Sequence, residues 1–92
     1  MQVVSLKLVS GEELVVRLLK ETADSFTVDS PQVLQFQQQG NGQLGLAFVP
    51  WTISNPDAAN IEIPLSMVMA KFTPSPIVEK QYLTQTSRIL MG

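Results

Sequence analysis

From Val3 to Phe72 the chain alternates hydrophobic and polar positions in short runs separated by turn residues. Val4, Leu6 and Leu8 share one face of the first run, and Val3, Ser5, Lys7 and Val9 share the other. A period of two predicts a strand. Ser10-Gly11 ends it, because glycine takes positive φ at no steric cost. Leu14 to Lys20 is almost continuously apolar, broken by Arg17, as expected of a strand covered on both faces. The run is short for a helix, and the adjacent Val15 and Val16 favour strand. Glu21-Thr22-Ala23-Asp24 reads as a loop. Phe26 and Val28 then begin a third strand, alternating with Ser25, Thr27 and Asp29. Ser30-Pro31 interrupts that pattern. Proline has no N–H to give to a ladder, so a bulge or an edge is expected here. Val33 to Gln37 resumes the alternation, Gln39-Gly40-Asn41-Gly42 predicts a hairpin, and Leu44 to Trp51 is the return strand.

Thr52 to Asn60 is irregular and predicts an exposed loop. Trp51 at its base is either a lid on the core or a surface platform. Ile61 to Pro64 is a short strand, Leu65-Ser66 a tight link, and Met67 to Phe72 the last strand. Thr73-Pro74-Ser75-Pro76 stops the sheet. Ser75 can cap a helix with Pro76 at its first position, where a missing N–H costs nothing. The helix is expected over about residues 75–89, with Glu79 in its first turn and Arg88 in its last, matching the helix dipole. Val78, Tyr82, Leu83 and Ile89 give it an apolar stripe, suited to packing on its own sheet or docking a partner.

Composition narrows the function. The 92 residues make one domain with a thin core, which subunit association would help to stabilise. Charged residues are 15% of the chain, against ~25% in ordinary soluble domains. Gln32, Gln35, Gln37, Gln38, Gln39 and Gln43 supply neutral polarity instead. A net charge of −2 argues against a dominant polyelectrolyte attraction to nucleic acid, although a local basic patch remains open. The sequence contains no cysteine and no histidine. Disulfides, thiolate chemistry, imidazole ligands and the usual nucleophile–base pairs are therefore excluded. Glu12 and Glu13 are neighbouring carboxylates, but at adjacent turn positions they point apart and read as a solvated hairpin tip. With no Gly-rich phosphate loop either, the chain is expected not to be an enzyme and to need no cofactor or metal. No apolar run reaches ~18 residues, so no membrane span is expected. The start of the chain carries no secretory pattern, and a reducing, cytoplasmic location is expected.

Leu8-Val9-Ser10-Gly11 is followed by Leu14, Val16 and Leu18, a spacing in which the chain resembles the first motif of the Sm-like (LSm) family. Ile63-Pro64-Leu65-Ser66-Met67-Val68 occupies the spacing of its second. The match covers about residues 3–72. It is closest to the cyanophage and marine metagenomic branch, through the Ser-Gly-Glu turn, the Val-Pro-Trp segment and the proline-rich approach to a C-terminal helix. The resemblance implies a mainly β fold: a small, strongly bent five-stranded Sm-like barrel over about 3–73 with a C-terminal helix. Family members usually carry a helix ahead of the first strand, whereas here Met1-Gln2 leads straight into it.

The resemblance also implies self-association. Sm-like barrels leave open edges at their fourth and fifth strands, and neighbours pair them into a closed ring, here expected to hold about five to seven subunits. The Asp and Asn with which the RNA-binding members hold and read uracil align with Thr22 and Phe26, and the Arg-Gly of the second motif aligns with Pro64-Leu65. Uridine readout of the usual kind is therefore expected to be absent. Non-specific binding of single-stranded RNA or DNA, in phage nucleic-acid processing in the host cytoplasm, would use stacking and charge. Its candidate residues are Arg17, Lys20, Thr22, Phe26, Pro64 and Lys71, with Trp51 as a further platform. The alternative is a structural or adaptor ring that binds protein.

Overall fold

A computed structural model describes the backbone of residues 2–38 and 40–91, and the side chains of those residues up to 86. The strands are β1 (Gln2–Leu8), β2 (Glu13–Glu21), β3 (Ser25–Gln38), β4 (Leu44–Pro50), β5 (Ile61–Pro64) and β6 (Val68–Phe72). A 3-10 turn over Leu65–Met67 joins β5 to β6, and the helix α1 spans Pro76–Met91. The sheet is antiparallel, in the order β4-β3-β2-β1-β6, with β5 also paired to β3. The expected mainly β fold with a C-terminal helix is present. Two details differ. The strands expected on either side of the 52–60 loop are both present, so the sheet has six strands rather than five: β4 pairs with residues 32–38 of β3 and β5 with residues 25–28, and the two lie end to end along one edge. And no ladder joins β6 to that edge among the described residues, so the sheet is bent but not closed.

One face of the sheet forms the core. Val4, Leu6, Leu8, Leu14, Val16, Phe26, Val28, Val33 and Ile63 are buried together, with Leu18, Trp51, Ile61, Leu65 and Val68 packed around them. Trp51 is thus largely a lid, and its Nε1 donates to Glu12 Oε1 at 3.2 Å. The turn at Ser10-Gly11 forms as the sequence predicts, with Gly11 at φ 97°. In β2, Leu14, Val15 and Val16 are buried on both faces, which is why the run carries no polar alternation.

The bend comes from two bulges. Arg17 pairs with Asp29 and Val15 with Gln32, so Ser30 and Pro31 together oppose Val16. Ser30 sits at φ 50°, a left-handed conformation that most residues avoid. Across the same pair of strands Leu19 is the extra residue on β2, between Leu18↔Val28 and Lys20↔Thr27. The curvature has a measurable consequence. Leu6 lies opposite both Leu14 and Lys71, so on a flat sheet Lys71 would be about 23 Å along the strand from Glu21. Instead Lys71 Nζ meets Glu21 Oε1 at 2.9 Å.

The bulge is also the anchor for everything outside the sheet. Ser30 N–H donates to the Ala58 carbonyl at 3.3 Å, and Trp51 N–H donates to the Pro31 carbonyl at 3.0 Å. Asn60 N–H donates to Asp29 Oδ1 at 2.8 Å, which ties the 52–60 loop down. The α1 cap forms as expected, with Val78 N–H donating to Ser75 Oγ. The helix then docks through Tyr82, which is fully buried and donates its hydroxyl to the Ser30 carbonyl at 2.8 Å. Phe48 packs against the Tyr82 ring, centroids 6.3 Å apart. The expected places of Arg88 and Ile89 in the helix concern side chains outside the described residues, as does Gln39 of the hairpin signal.

Burial holds the Tyr82 phenol well above its ordinary value of 10.0, although the nearby Arg17 charge pulls the other way. The native state keeps the phenol proton over a range in which the unfolded chain has lost it. Stability from this group is therefore complete below about pH 10 and falls as pH rises above it. Tyr82 is the sole tyrosine, so phenolate absorbance should appear only together with unfolding on an alkaline titration. In Tyr82→Phe, urea denaturation at neutral pH should show a loss of about 1–2 kcal/mol, from the unpaired Ser30 carbonyl.

Candidate functional site

The candidate residues fall in two places. Arg17 lies on the sheet face that α1 covers. It is half-buried, its Nη2 donates to Thr86 Oγ1 at 2.8 Å, and its guanidinium carbon lies 5.6 Å from the centre of the Tyr82 ring. Its charge is used to hold the helix. The same covered face contains Ser5 and Gln32, both buried, and Gln32 Oε1 has no partner among the described residues.

The other candidates gather at the end of the sheet where the β2–β3 turn meets the β5–β6 link. Glu21 and Phe26 are cross-strand partners, Ser25 pairs with Pro64, and Leu65 N–H donates to the Asp24 carbonyl at 2.9 Å. Thr22 builds the turn itself. Its Oγ1 accepts from the N–H groups of Asp24 at 3.2 Å and Ser25 at 3.0 Å, a local bond that lets a short loop reverse. Phe26 is 4% exposed and offers no face for a base to stack on. Lys71 Nζ sits 5.7 Å from the Phe26 ring centre and is paired with Glu21. That pair is half-exposed, so solvent and salt leave it little net worth. Lys20 and Pro64 are exposed. The structure thus brings Thr22, Phe26, Pro64 and Lys71 together around a neutralised charge and leaves Arg17 apart.

Elsewhere on the surface lie the sheet edges, which the resemblance implied to be open, and a groove that the sequence did not indicate. Both free edges of the sheet carry apolar side chains in solvent. On β4, Leu44 is 69% exposed, with Leu46 and Val49 beside it. On β6, Met69 is 66% exposed, flanked by Phe72 and by Met67 of the preceding turn. A groove of about 640 Å³ opens next to β4. On the sheet it is lined by Val33, Leu34, Gln35, Phe36 and Leu46, and around them by Lys7 and the 10–13 turn with Glu12 and Glu13. The signal for both features was the apolar alternation itself, which marks a strand's faces but not which of them stays uncovered.

Among the described residues no three acidic side chains gather to hold a metal ion, and no helix is long and apolar enough to cross a membrane. Compared with family models and with curated protein sequences, the chain matches none.

Arg17→Met should lower stability by about 1–2 kcal/mol, combining the lost hydrogen bond to Thr86 with the lost cation–π contact. Lys20→Ala, which alters an exposed side chain, should change it by less than about 0.5 kcal/mol. Urea midpoints of the two variants against the parent chain check the contrast.

Proposed function

We propose that this chain is the subunit of a closed homo-oligomer in which β6 of one protomer adds, antiparallel, to the β4 edge of the next, and that the resulting ring serves as a structural or protein-binding adaptor. The observation that carries this reading is the pair of thinly guarded edges. Exposed edge strands normally bear charges, prolines or covering segments, because a bare edge templates pairing with another chain. Here β4 carries no charge; its guards are Pro50 at its end and a hydrogen bond of 3.4 Å from Gln85 Nε2 to the Phe48 carbonyl. β6 carries one charge, Lys71, which is turned onto Glu21 and Phe26. The two edges are far apart in sheet order, so pairing one with the other is head-to-tail. Such pairing ends in a ring when the rotation closes, and in a fibre when it does not. The strong bend of the sheet favours closure.

The Sm-like resemblance supports the same reading, since in that family the ring is made from the fourth- and fifth-strand edges. Here these correspond to the β4–β5 edge and to β6. The resemblance also carries a nucleic-acid reading, in which the ring binds a single strand without reading its sequence. We favour the protein-binding role because, of the five basic side chains among the described residues, three are already engaged within the chain. Arg17 is held by Thr86 and Tyr82, Lys71 by Glu21, and Lys7 Nζ donates to the Gly11 carbonyl at 2.9 Å.

Light scattering at micromolar concentration should give a mass of about five to seven times 10.1 kDa. Leu44→Lys combined with Met69→Lys should give a folded monomer. A monomeric parent chain would refute the ring. Titration with labelled oligo-U, oligo-A and mixed single-stranded DNA at two salt concentrations separates the two roles. No binding at low salt is expected, whereas tight binding that weakens steeply with salt would replace the adaptor role with the nucleic-acid one.

A further inference from the structure

We infer that the groove beside β4 is filled by the first turn of α1 from the neighbouring copy, with Ile77 as the apolar plug and Lys80 facing the acidic rim. This inference rests on the edge pairing proposed above and adds a second contact to it. The groove has an occupant-sized volume of about 640 Å³ and an aromatic side chain, Phe36, that is 77% exposed. Phe36 pairs across the hairpin with Leu46, so the groove begins at the very edge to which β6 of the neighbour would add.

Direction and reach select the occupant. In an antiparallel addition, β6 runs from Val68 to Phe72 while β4 runs from Leu44 to Pro50. Phe72 of the neighbouring copy therefore leaves the sheet at the Leu44–Leu46 end, next to the groove. From Phe72 to Ile77 the chain advances five residues and can span at most roughly 18 Å. The side chain of Phe36 lies two strand spacings from an added strand, about 10 Å. The segment that follows β6 is thus the part of the neighbour that arrives at this place.

The chemistry of that segment fits. Ile77 is 71% exposed in the first turn of a helix whose docking contacts, at Tyr82 and Thr86, lie further along. Lys80 is exposed and, three residues on, shares the face of Ile77. The rim opposite offers the carboxylates of Glu12 and Glu13 against one cation, Lys7, whose Nζ is held on the Gly11 carbonyl, with Glu12 fixed by Trp51 Nε1 and Ser10 Oγ. An apolar plug with a cation beside it matches an apolar floor with an acidic rim.

The chain has no cysteine, so introduced pairs report cleanly. Phe36→Cys and Ile77→Cys, both at exposed positions that leave the core intact, are combined in one chain and oxidised. The expected result is a ladder of covalently linked chains on a non-reducing denaturing gel, running from dimer to the full ring, with neither single variant going beyond a dimer. Ile77→Glu, which sets an acid against the rim, should weaken self-association about tenfold by light scattering. An oligomeric parent chain that gives no inter-chain link between positions 36 and 77 would overturn the inference and leave the ring standing. A link formed within one chain would overturn it equally. A monomeric parent chain would overturn both.

Discussion

The left-handed turn of the backbone at Ser30, followed by Pro31, is the constraint on which the rest of the molecule depends. One extra residue at this point bends β3 so that its first half can be covered by β5 and its second half by β4. The bulge also frees backbone groups that a regular ladder would have consumed. Ser30 N–H goes to the 52–60 loop, the Ser30 carbonyl to Tyr82, and the Pro31 carbonyl to Trp51. A conformation that costs of order 1 kcal/mol is held in place from three directions, by the loop, the helix and the core lid. The same bend brings β6 and the end of β2 together at Lys71 and Glu21.

Much of this is legible in the sequence. Ser30-Pro31 marked the bulge because proline cannot donate, Ser75-Pro76 marked the helix start, and the fully apolar Leu14–Val16 marked a strand buried on both faces. What was not readable follows from long-range packing. That both strands flanking the 52–60 loop pair with β3 depends on where the loop is tied, which Asp29 and Ala58 decide from opposite sides of a sequence gap. Tyr82 looked like one member of an apolar stripe, yet it docks through its hydroxyl, because the face beneath α1 holds Arg17, Gln32 and Ser5. Arg17 and Lys71 looked like cations available to a phosphate. Each instead has a partner more than forty residues away, at Thr86 and Glu21, which no local pattern encodes.

The low charge of the chain now has a structural setting. Small domains bury too little surface to be very stable alone, and this one exposes apolar side chains on both edge strands as well as at Val9, Phe36, Ile53 and Ile77. Pairing those edges would satisfy the unpaired backbone groups of both strands, cover Leu44, Leu46, Met69 and Phe72, and remove the hazard that a bare edge presents. Assembly, in this account, completes the fold: the sheet that the monomer leaves open is continued by its neighbour.

Amide hydrogen exchange as a function of protein concentration tests that claim most directly. The account predicts that the amides of β4 and β6 exchange slowly at concentrations where the oligomer persists and become fast on dilution, while those of β1 and β2 keep their protection throughout. Fast exchange along both β4 and β6 at every concentration would contradict it.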